Sequence, residues 1–524
     1  MTIGNSINKL RTNANMSQEQ FADLFNVSQQ SVQKWETDAA TPELSKLVSI
    51  AKYFGVSLDA LILGNGNRMV EELKCTRELK PQYQNIDDHE FYSSYILNEY
   101  QQSLEEGLDI EQYSEVFKAV SLLPKNEIKK KMGDILFSVI SSAKQREGYK
   151  YNEPSDLDSI KELRAHYSYN SSGIKNTEQK IKGAWLGRVC GCMLGKPVEC
   201  IRTDELISFL KETDNYPMHR YIYKSDLTNQ IIEKYKWPFA TKKYADEIDG
   251  MPIDDDTNYT VLAQELIEKY GKDFTPYDVS RVWLDYQPKR FYCTAERVAF
   301  RNFVKGYVPP QSAIYKNPFR EWIGAQIRAD YFGYINPGNP ELAAEMAWRD
   351  ASISHTKNGI YGEMFVSAML AVAAVTDNIE DIIKGGLAQI PYTSRLYEAV
   401  TEVLNGFKKG VSQKEAFENI HQKFDECTEH GWCHTISNAM IVTTALLYGN
   451  GDYGKSICMA VETGFDTDCN GATVGSIIGM AKGIDNIPEA WIKPINDTLY
   501  TSILGFGTVK ISDRVQLTLK HINI

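Results

Sequence analysis

Apolar residues recur three and four positions apart through the first 64 residues, a spacing that places them on one face of successive short helices. The pattern predicts five helices. Ser17 and Gln20 stand at the start of one of them in the arrangement of a capping box. A tight turn separates it from a helix over residues 28–36, and Ser57 is the predicted cap of the last helix. The apolar positions include Phe21, Leu24, Phe25, Leu44, Leu47, Ile50 and Ala51.

The composition changes at residues 65–67, where Asn-Gly-Asn predicts a hinge. The following residues are polar, charged and aromatic, with helical stretches such as 125–144, and they contain no chemical motif. We expect a helical connector there, either a spacer or a dimerisation segment. Because a second boundary is predicted near residues 167–173, the expected domains are 1–66, 67–172 and 173–524.

Beyond residue 180 the pattern changes to glycines spaced every four residues. Such positions lie along one helix face, and each glycine inside a helix costs about 1 kcal/mol relative to alanine. We therefore predict that another helix or backbone segment approaches this face closely, beside Glu199. Lys182, Arg188 and Lys196 in the same stretch argue against a membrane helix dimer. The glycines are Gly183, Gly187, Gly191 and Gly195.

Two dense carboxylate clusters stand about 200 residues apart, one at residues 254–256 and one at Asp466 and Asp468. Each precedes an apolar or small-residue helical pattern. Capping and the helix dipole favour an aspartate at a helix start, but they account for one aspartate better than for three. Crowded carboxylates repel unless a cation offsets their charge, and Mg²⁺ takes oxygen ligands of this kind. Brought together, the clusters could hold two metal ions roughly 3.5–4 Å apart.

The net charge of −12 over 524 residues argues against broad, non-specific binding of nucleic acid, while leaving room for a local DNA-reading module. Hydrophobic residues make up 43% of the chain, enough for a sizeable core. The longest apolar runs have about 11 residues, too few for a membrane span. Neither a secretory signal nor paired CxxC knuckles for zinc are recognisable. We expect a cytoplasmic protein whose nine cysteines are reduced.

Residues 16–42 resemble the lambda-repressor-like helix-turn-helix family. The matching stretches are 16–22, 27–28 and 32–36, followed by Pro42. The resemblance implies that the side chains facing the DNA major groove are Gln29, Gln30, Gln33 and Lys34. Glutamine can read adenine through two hydrogen bonds, and lysine can reach guanine or phosphate. Residues 1–64 carry a net charge of −1, which is weak for non-specific attraction. A small helical domain that meets only protein is the alternative.

The C-terminal two thirds resemble the ADP-ribosylglycohydrolase family, of the dinitrogenase-reductase-activating type, over roughly residues 176–505. The similarity rests on the glycine ladder ending in Glu199, the Asp-Asp-Thr at 255–257, the Asp-Thr-Asp at 466–468, and Ser354-His355. It implies an all-α domain that binds two Mg²⁺ (or Mn²⁺) ions. It also implies cleavage of the N- or O-glycosidic bond at the distal ribose of ADP-ribose.

The same resemblance assigns roles to individual residues. The metal ligands it implies are Asp254, Asp255, Asp256, Asp466 and Asp468. The catalytic carboxylates it implies are Glu199, Asp255 and Asp466. The substrate contacts it implies are Gly324, Gln326, Arg328 and His355.

The chain departs from the family pattern at several positions. Asp254 stands where relatives often have Ser or Thr, Cys469 where many have Thr, and Cys192 in place of a common acidic residue. Because thiolates are soft donors, Cys469 is not expected to bind Mg²⁺. Residues 323–328 lack the usual Gly-Asn-Gly of the substrate loop. The substrate therefore stays open between an ADP-ribosylated conjugate and a smaller ribosyl conjugate or nucleoside.

Cys433 and His434 together suggest a thiol nucleophile, but no orienting acid can be assigned to them. We expect His434 to cap a helix or to line the pocket.

These observations predict an all-α protein with a five-helix helix-turn-helix domain, a helical connector and a dimetal glycohydrolase. In the expected mechanism the metal ions polarise a water, a carboxylate takes its proton, and the transition state is oxocarbenium-like. The competing class is a ligand-sensing transcriptional regulator that keeps the hydrolase fold for binding ADP-ribose or a nucleoside. If the DNA-binding module represses its own operon, a homodimer is expected, since two-fold operators need two reading heads.

Overall fold

The computed structural model describes residues 2–63, 88–171 and 173–523. The chain divides into two compact units, Met1–Ile86 and Asp87–Ile524. The hinge predicted at residues 65–67 lies outside the described residues.

The N-terminal unit contains the five predicted helices. Ser17 and Gln20 form the predicted capping box, and the hydroxyl of Ser57 accepts the Ala60 N–H over 3.0 Å. The fourth helix begins at Leu44, with Glu43 as its N-cap. The helices are α1 (Ile3–Asn13), α2 (Gln18–Leu24), α3 (Gln29–Glu36), α4 (Leu44–Phe54) and α5 (Leu58–Leu63).

A buried carboxylate holds the inner side of α3 in place. Arg11 on α1 donates from Nε to Glu36 Oε1 over 2.5 Å, and Gln18 on α2 donates to Glu36 Oε2 over 2.7 Å. Val32 and Trp35 pack into the apolar core from the same side of α3. The first three helices are therefore joined by both apolar and charged contacts.

The C-terminal unit is helical, which confirms the predicted all-α class; among the described residues its strands are two antiparallel segments of three residues each, β1 (Thr498–Tyr500) and β2 (Thr508–Lys510). Its first helices are α6 (Ile96–Glu105), α7 (Ser114–Ser121), α8 (Glu127–Ser142), α9 (Leu157–Glu162), α10 (Thr177–Gly195), α11 (Thr203–Glu212), α12 (Asn229–Tyr235), α13 (Asp255–Tyr270), α14 (Pro276–Tyr286), α15 (Thr294–Val304), α16 (Gln311–Ile314) and α17 (Asp330–Tyr334). The later helices are α18 (Pro340–Ala351), α19 (Lys357–Ala373), α20 (Ile379–Leu387), α21 (Arg395–Lys408), α22 (Gln413–Lys423), α23 (Glu429–Cys433), α24 (Thr435–Gly449), α25 (Tyr453–Glu462), α26 (Thr467–Lys482), α27 (Glu489–Ile492) and α28 (Ile511–Ile522).

Helices α10 and α26 pack backbone against backbone along the four predicted glycines. A Cβ atom on Gly191 would lie 2.0 Å from the carbonyl oxygen of Gly471, and one on Gly187 would lie 2.2 Å from that of Gly475. The paired positions run in opposite directions along the chain, so the two helices are antiparallel. The close approach predicted from the glycine spacing is confirmed. We call the contact of Gly183, Gly187, Gly191 and Gly195 with α26 the glycine seam.

Residues 88–171 belong to the same compact unit as residues 173–523. Lys161 Nζ, for example, lies 2.8 Å from Glu345 Oε2, and the Trp348 indole donates to the Ser155 carbonyl over 2.8 Å. The domain limits drawn at 67 and 172 stay predictions.

The described part of the chain bears on membrane insertion and on the state of the cysteines. There, no helix is both long enough and apolar enough to cross a bilayer. The eight cysteines within it are free thiols, whereas Cys75 lies outside it.

Candidate metal centre and active site

The glycine seam brings two of the predicted functional segments to one point. Gly195 is the last residue of α10, and its carbonyl accepts the hydroxyl of Thr467, the first residue of α26, over 3.0 Å. Glu199 follows α10 by four residues, while Asp466 and Asp468 flank Thr467. Because no side chain separates the two helices, backbone contact sets how far Glu199 lies from Asp466 and Asp468.

The third segment, Asp254–Asp256, is held at the same place by Arg188 of α10 and by Lys196, the residue that follows this helix. Asp254 caps α13 by accepting the Asp256 N–H over 2.9 Å, and it forms an ion pair with Lys196. Arg188 is fully buried and donates from Nη2 to Asp256 Oδ1 over 3.0 Å. Its Nη1 donates to Asp330 Oδ2 over 2.7 Å. These pairs tie the start of α13 to the glycine-bearing helix.

A cavity of about 450 Å³ opens over this group. Four of the carboxylates line it, namely Glu199, Asp255, Asp466 and Asp468. Asp254 and Asp256 are buried behind its wall. The structure thus brings together every carboxylate predicted to bind metal or to act in catalysis. We call these six residues the acidic centre; it comprises Glu199, Asp254, Asp255, Asp256, Asp466 and Asp468.

Mutual repulsion and burial raise the pKa of several carboxyl groups in the acidic centre. The charge of Asp468, together with burial, raises the pKa of Glu199 to about 7. Burial and the charge of Asp254 raise the pKa of Asp255 to about 7 and that of Asp468 to about 6. Against the effect of burial, the Lys196 ammonium holds the pKa of Asp254 below its usual range. Without further positive charge, full ionisation of this group is unfavourable.

The donor set fits divalent cations. Oδ2 of Asp256 is buried and has no hydrogen-bond partner among the described residues. A buried carboxylate oxygen without a partner is costly, and a coordinated cation would satisfy it. One ligand atom each of Asp256 and Asp468 lie within 4.8 Å of one another. The oxygens suit Mg²⁺ or Mn²⁺, although Lys196 competes for one oxygen of Asp254.

The predicted substrate residues separate into two groups. Gly324 lines the cavity, and a Cβ atom there would lie 2.0 Å from Glu296 Oε1, so a side chain would displace that carboxylate. The other three, Gln326, Arg328 and His355, are buried and lie outside the described cavity wall.

Arg328 supports the wall from behind. It donates from Nη1 to Glu296 Oε1 over 2.8 Å and also pairs with Asp350. The neighbouring His355 accepts or donates a hydrogen bond with the Ser354 hydroxyl over 2.8 Å. Direct substrate contact by Gln326, Arg328 and His355 stays a prediction; the observed contacts give Arg328 a structural role.

Sequence reasoning missed several cavity residues, among them His89, Cys293 and Glu296. Burial raises the pKa of Glu296 to about 6, so it is a further carboxyl group able to exchange a proton near neutral pH. In the sequence it stands near the start of an amphipathic helix, where an acidic residue is expected on dipole grounds alone. His89 lies in the segment for which no chemistry was predicted.

Helix α6 of that segment joins the two sides of the cavity rim. Gln102 donates to Glu321 Oε2 over 2.6 Å, beside the wall residue Trp322. Glu105 accepts from His430 Nε2 over 3.1 Å, beside Trp432. Arg320 extends this contact by donating to Glu99 and Glu106 over 2.7 and 2.6 Å. Residues 88–106 are therefore part of the rim and its support.

Glu105, His430 and His434 stand close enough to hold a metal ion, but their hydrogen bonds argue against one. The Trp322 indole N–H points at His430 Nδ1 over 3.3 Å, and the Ile436 N–H points at His434 Nδ1 over 3.1 Å. Each Nδ1 is thus an acceptor, so each Nε2 carries the hydrogen and cannot bind metal. The predicted helix cap at His434 is confirmed.

The predicted DNA-reading residues share one face of α3. Gln29, Gln30, Gln33 and Lys34 are exposed, whereas Val32 and Trp35 on the opposite side are buried. Ser28 caps the helix through the Ser31 N–H over 3.1 Å. This is the arrangement that a helix needs in order to enter the major groove.

Comparisons with known proteins agree with both units. A helix-turn-helix family model matches residues 7–61. Over 86 residues the chain is 33% identical to the HTH-type transcriptional activator BcrR of Enterococcus faecalis, an alignment that covers 16% of this chain and 42% of that relative. The chain therefore spans less than half the length of this curated relative.

The larger unit has matches of its own. A solved structure described as an ADP-ribosylglycohydrolase-related protein complex aligns with a TM-score of 0.44 and 18% identity, covering 66% of this chain and 98% of the other. The ADP-ribosylglycohydrolase family model matches residues 174–517, which include the glycine seam and the whole acidic centre. On this match the chain belongs to the ADP-ribosylglycohydrolase family and carries a helix-turn-helix segment ahead of the hydrolase domain.

Proposed function

We propose that the protein is a dimetal-dependent glycohydrolase that cleaves the ribosyl glycosidic bond of an ADP-ribosylated substrate or a related ribosyl conjugate. The observation that carries this proposal is the acidic centre on the wall of a cavity large enough for such a substrate. Family membership supports the hydrolase class. The raised pKa values of Glu199, Asp255 and Asp468 and the unpartnered Asp256 oxygen support the need for cations.

In the proposed mechanism the chain's own residues carry out the following steps. Glu199 lines the cavity with a pKa near neutrality, so it can take the proton of an attacking water and release it again. The ionised carboxylates around it stabilise the positive charge that develops on the ribose ring. Trp322 and Trp432 line the cavity and give it an apolar wall beside the acidic centre. A bound pair of divalent cations would supply polarisation of the water and of the ribose hydroxyls.

The N-terminal unit supports a second activity, the reading of DNA through Gln29, Gln30, Gln33 and Lys34. The exposed polar face of α3 and the likeness to a transcriptional activator favour it. A regulator that senses ADP-ribose or a nucleoside through the hydrolase-like domain is therefore the second candidate function. Enzyme and regulator are compatible, since the DNA-binding unit could control expression until substrate appears.

The test is metal-dependent release of ribose or ADP-ribose from ADP-ribosyl-arginine, ADP-ribosyl-serine, O-acetyl-ADP-ribose and simple nucleosides. We expect turnover with Mg²⁺ or Mn²⁺ on at least one compound. The double variant Asp466→Ala, Asp468→Ala should lose at least about 1,000-fold in rate, because the charge stabilisation at a metal centre amounts to several kcal/mol.

The matched control is Asp285→Ala, which removes an exposed carboxylate paired with Lys269 and should keep full activity. Absence of turnover on every compound, together with tight ADP-ribose binding, would overturn the enzyme proposal. If ADP-ribose then also changed the affinity for DNA, the regulator would be the function.

A further inference from the structure

Two cysteines stand among the metal-binding carboxylates. The Sγ atom of Cys192 and one oxygen each of Asp254 and Asp256 lie within 4.8 Å of one another. The Sγ atom of Cys469 and one oxygen each of Asp256 and Asp468 form a second group with the same spacing. The two groups share Asp256, so a single carboxylate joins them.

The side chains in both groups are buried, and Asp254 already accepts the Asp256 N–H through Oδ1 and pairs with Lys196 through Oδ2. Asp256 is held through Oδ1 by Arg188, while its Oδ2 has no partner among the described residues. The Cys192 thiol is hydrogen-bonded to Asp254, and the Cys469 thiol to Asp466. The two cysteines pack in the apolar core of the C-terminal unit, and their thiols reach carboxylates at its edge.

The spacing suits one cation in each group. Bond lengths of about 2.0–2.3 Å to oxygen and sulfur place the ligands of a single tetrahedral ion roughly 3.3–3.8 Å apart, which lies within the 4.8 Å limit that both groups meet. Mg²⁺ would use only the oxygens. Zn²⁺ or Co²⁺ would also use sulfur, since thiolate is a preferred ligand of the softer metals.

We propose that Cys192 and Cys469 are additional metal ligands, which make the acidic centre a mixed carboxylate–thiolate site that binds Zn²⁺ or Co²⁺ in preference to Mg²⁺. Each binding event breaks one S–H bond, forms one metal–sulfur bond and releases the proton to solvent. This inference rests on the proposed metal centre and specifies which metals it takes. It assigns a role to two positions at which this chain departs from the family pattern.

The test is a titration of the metal-free full-length protein with Co²⁺, followed by absorption spectroscopy. We expect visible ligand-field bands from bound cobalt and a near-ultraviolet sulfur-to-cobalt charge-transfer band. In Cys192→Ser, Cys469→Ser the charge-transfer band should disappear while ligand-field bands remain. The affinity for Co²⁺ should fall at least about 10-fold relative to that for Mg²⁺, in line with the preference of soft metals for sulfur.

Cys190→Ser is the matched control, because Cys190 lies two residues from Cys192 on the same helix but donates to the Trp491 carbonyl over 3.2 Å. It should keep the charge-transfer band. If the double variant does not fold, cadmium NMR on the unaltered protein still distinguishes sulfur from oxygen ligands by chemical shift.

The outcomes separate the two proposals. Ligand-field bands without a charge-transfer band in the unaltered protein would overturn thiolate ligation and leave the metal centre in place. A charge-transfer band that survives in the double variant would also overturn it, because other thiols would then be the ligands. Absence of both kinds of band would remove the metal centre itself.

Discussion

The side chains expected to act on a ligand are exposed in one unit and enclosed in the other. On α3, Gln33 and Lys34 extend into solvent from a helix whose opposite side is packed. In the C-terminal unit, Glu199, Asp255 and Asp468 share a small space in which their charges repel. An exposed polar face adds function at little cost in folding free energy, whereas an enclosed set of like charges needs compensating contacts. We therefore predict that substitutions on α3 will change DNA binding without changing stability. Substitutions around the acidic centre should change activity and stability together.

The largest effect is expected at the glycine seam. Gly191→Val places methyl groups where even a Cβ atom would lie 2.0 Å from the Gly471 carbonyl oxygen. Because backbone cannot rotate away as a side chain can, we expect a loss of more than about 5 kcal/mol in the free energy of unfolding. Denaturant titration should show early unfolding of the C-terminal unit and intact DNA binding by the N-terminal unit.

The control for the seam is Gly507→Ala, since a Cβ atom there meets open space. Its unfolding midpoint should match that of the unaltered protein. Equal stability of Gly191→Val and Gly507→Ala would show that the seam does not hold the fold.

The next effect tests whether residues 88–106 belong with the hydrolase. Arg320→Met leaves the buried Glu99 without its cation and leaves Glu106 with Lys357 alone, and breaking a buried pair costs about 3–5 kcal/mol. We expect destabilisation of that size and, because the rim loses support, a rise in KM. Lys118→Met removes a pair between two exposed side chains and should leave the free energy of unfolding nearly unchanged, because solvent screens that pair. Equal effects of the two substitutions would contradict a supporting role of Arg320.

A smaller effect concerns the repulsion within the acidic centre. The pKa of Asp468 is raised to about 6 in the folded chain, from about 3.9 in an unfolded one. A raised carboxyl pKa means that the folded chain keeps this proton up to a higher pH than the unfolded chain does. The free energy of unfolding therefore falls as pH rises from about 4 to about 6. Asp468→Asn removes this loss.

Thermal unfolding of metal-free protein measures the difference. We expect Asp468→Asn to match the unaltered protein at pH 4 and to be more stable by on the order of 2–3 kcal/mol at pH 7.5. Added Mn²⁺ should raise the melting temperature of the unaltered protein alone. A variant that is less stable than the unaltered protein at pH 7.5 would show that the aspartate charge is already compensated.

The smallest effect on stability is expected on α3. Gln33→Ala removes an exposed side chain, so the free energy of unfolding should change by no more than about 0.5 kcal/mol. If Gln33 reads a base, the affinity for the specific operator should fall by about 1–3 kcal/mol while non-specific binding is unchanged. Fluorescence anisotropy with specific and random DNA measures both. Unchanged operator affinity would remove Gln33 from the reading set.

Local patterns were enough to predict much of this molecule. The capping box at Ser17, the five N-terminal helices and the close packing of Gly183–Gly195 depend on spacing within one segment, which the sequence displays directly. The carboxylates at 254–256 and 466–468 could be paired because their density is unusual and because a family pattern contains both.

What could not be predicted depends on contacts between distant segments. Nothing near Glu296 or Cys293 marks them as cavity residues, since acidic and thiol side chains at helix starts are common. The contribution of His89 and Glu105 arises from packing across more than 200 residues of chain. Cys192 and Cys469 are 277 positions apart, so a search for closely spaced cysteine pairs does not find them.

The glycine seam also has a consequence for engineering new specificities. The distance between α10 and α26 cannot be changed by exchanging side chains, because backbone carbonyl oxygens and Cα atoms are in contact there. Other helix pairs have side chains at such positions. A library that varies the rim at Trp322 and Trp432 could therefore alter which leaving group is accepted while the interval between Glu199 and Asp468 is preserved. The same number of changes along the seam would yield chains that do not fold, so diversity is best confined to the mouth of the cavity.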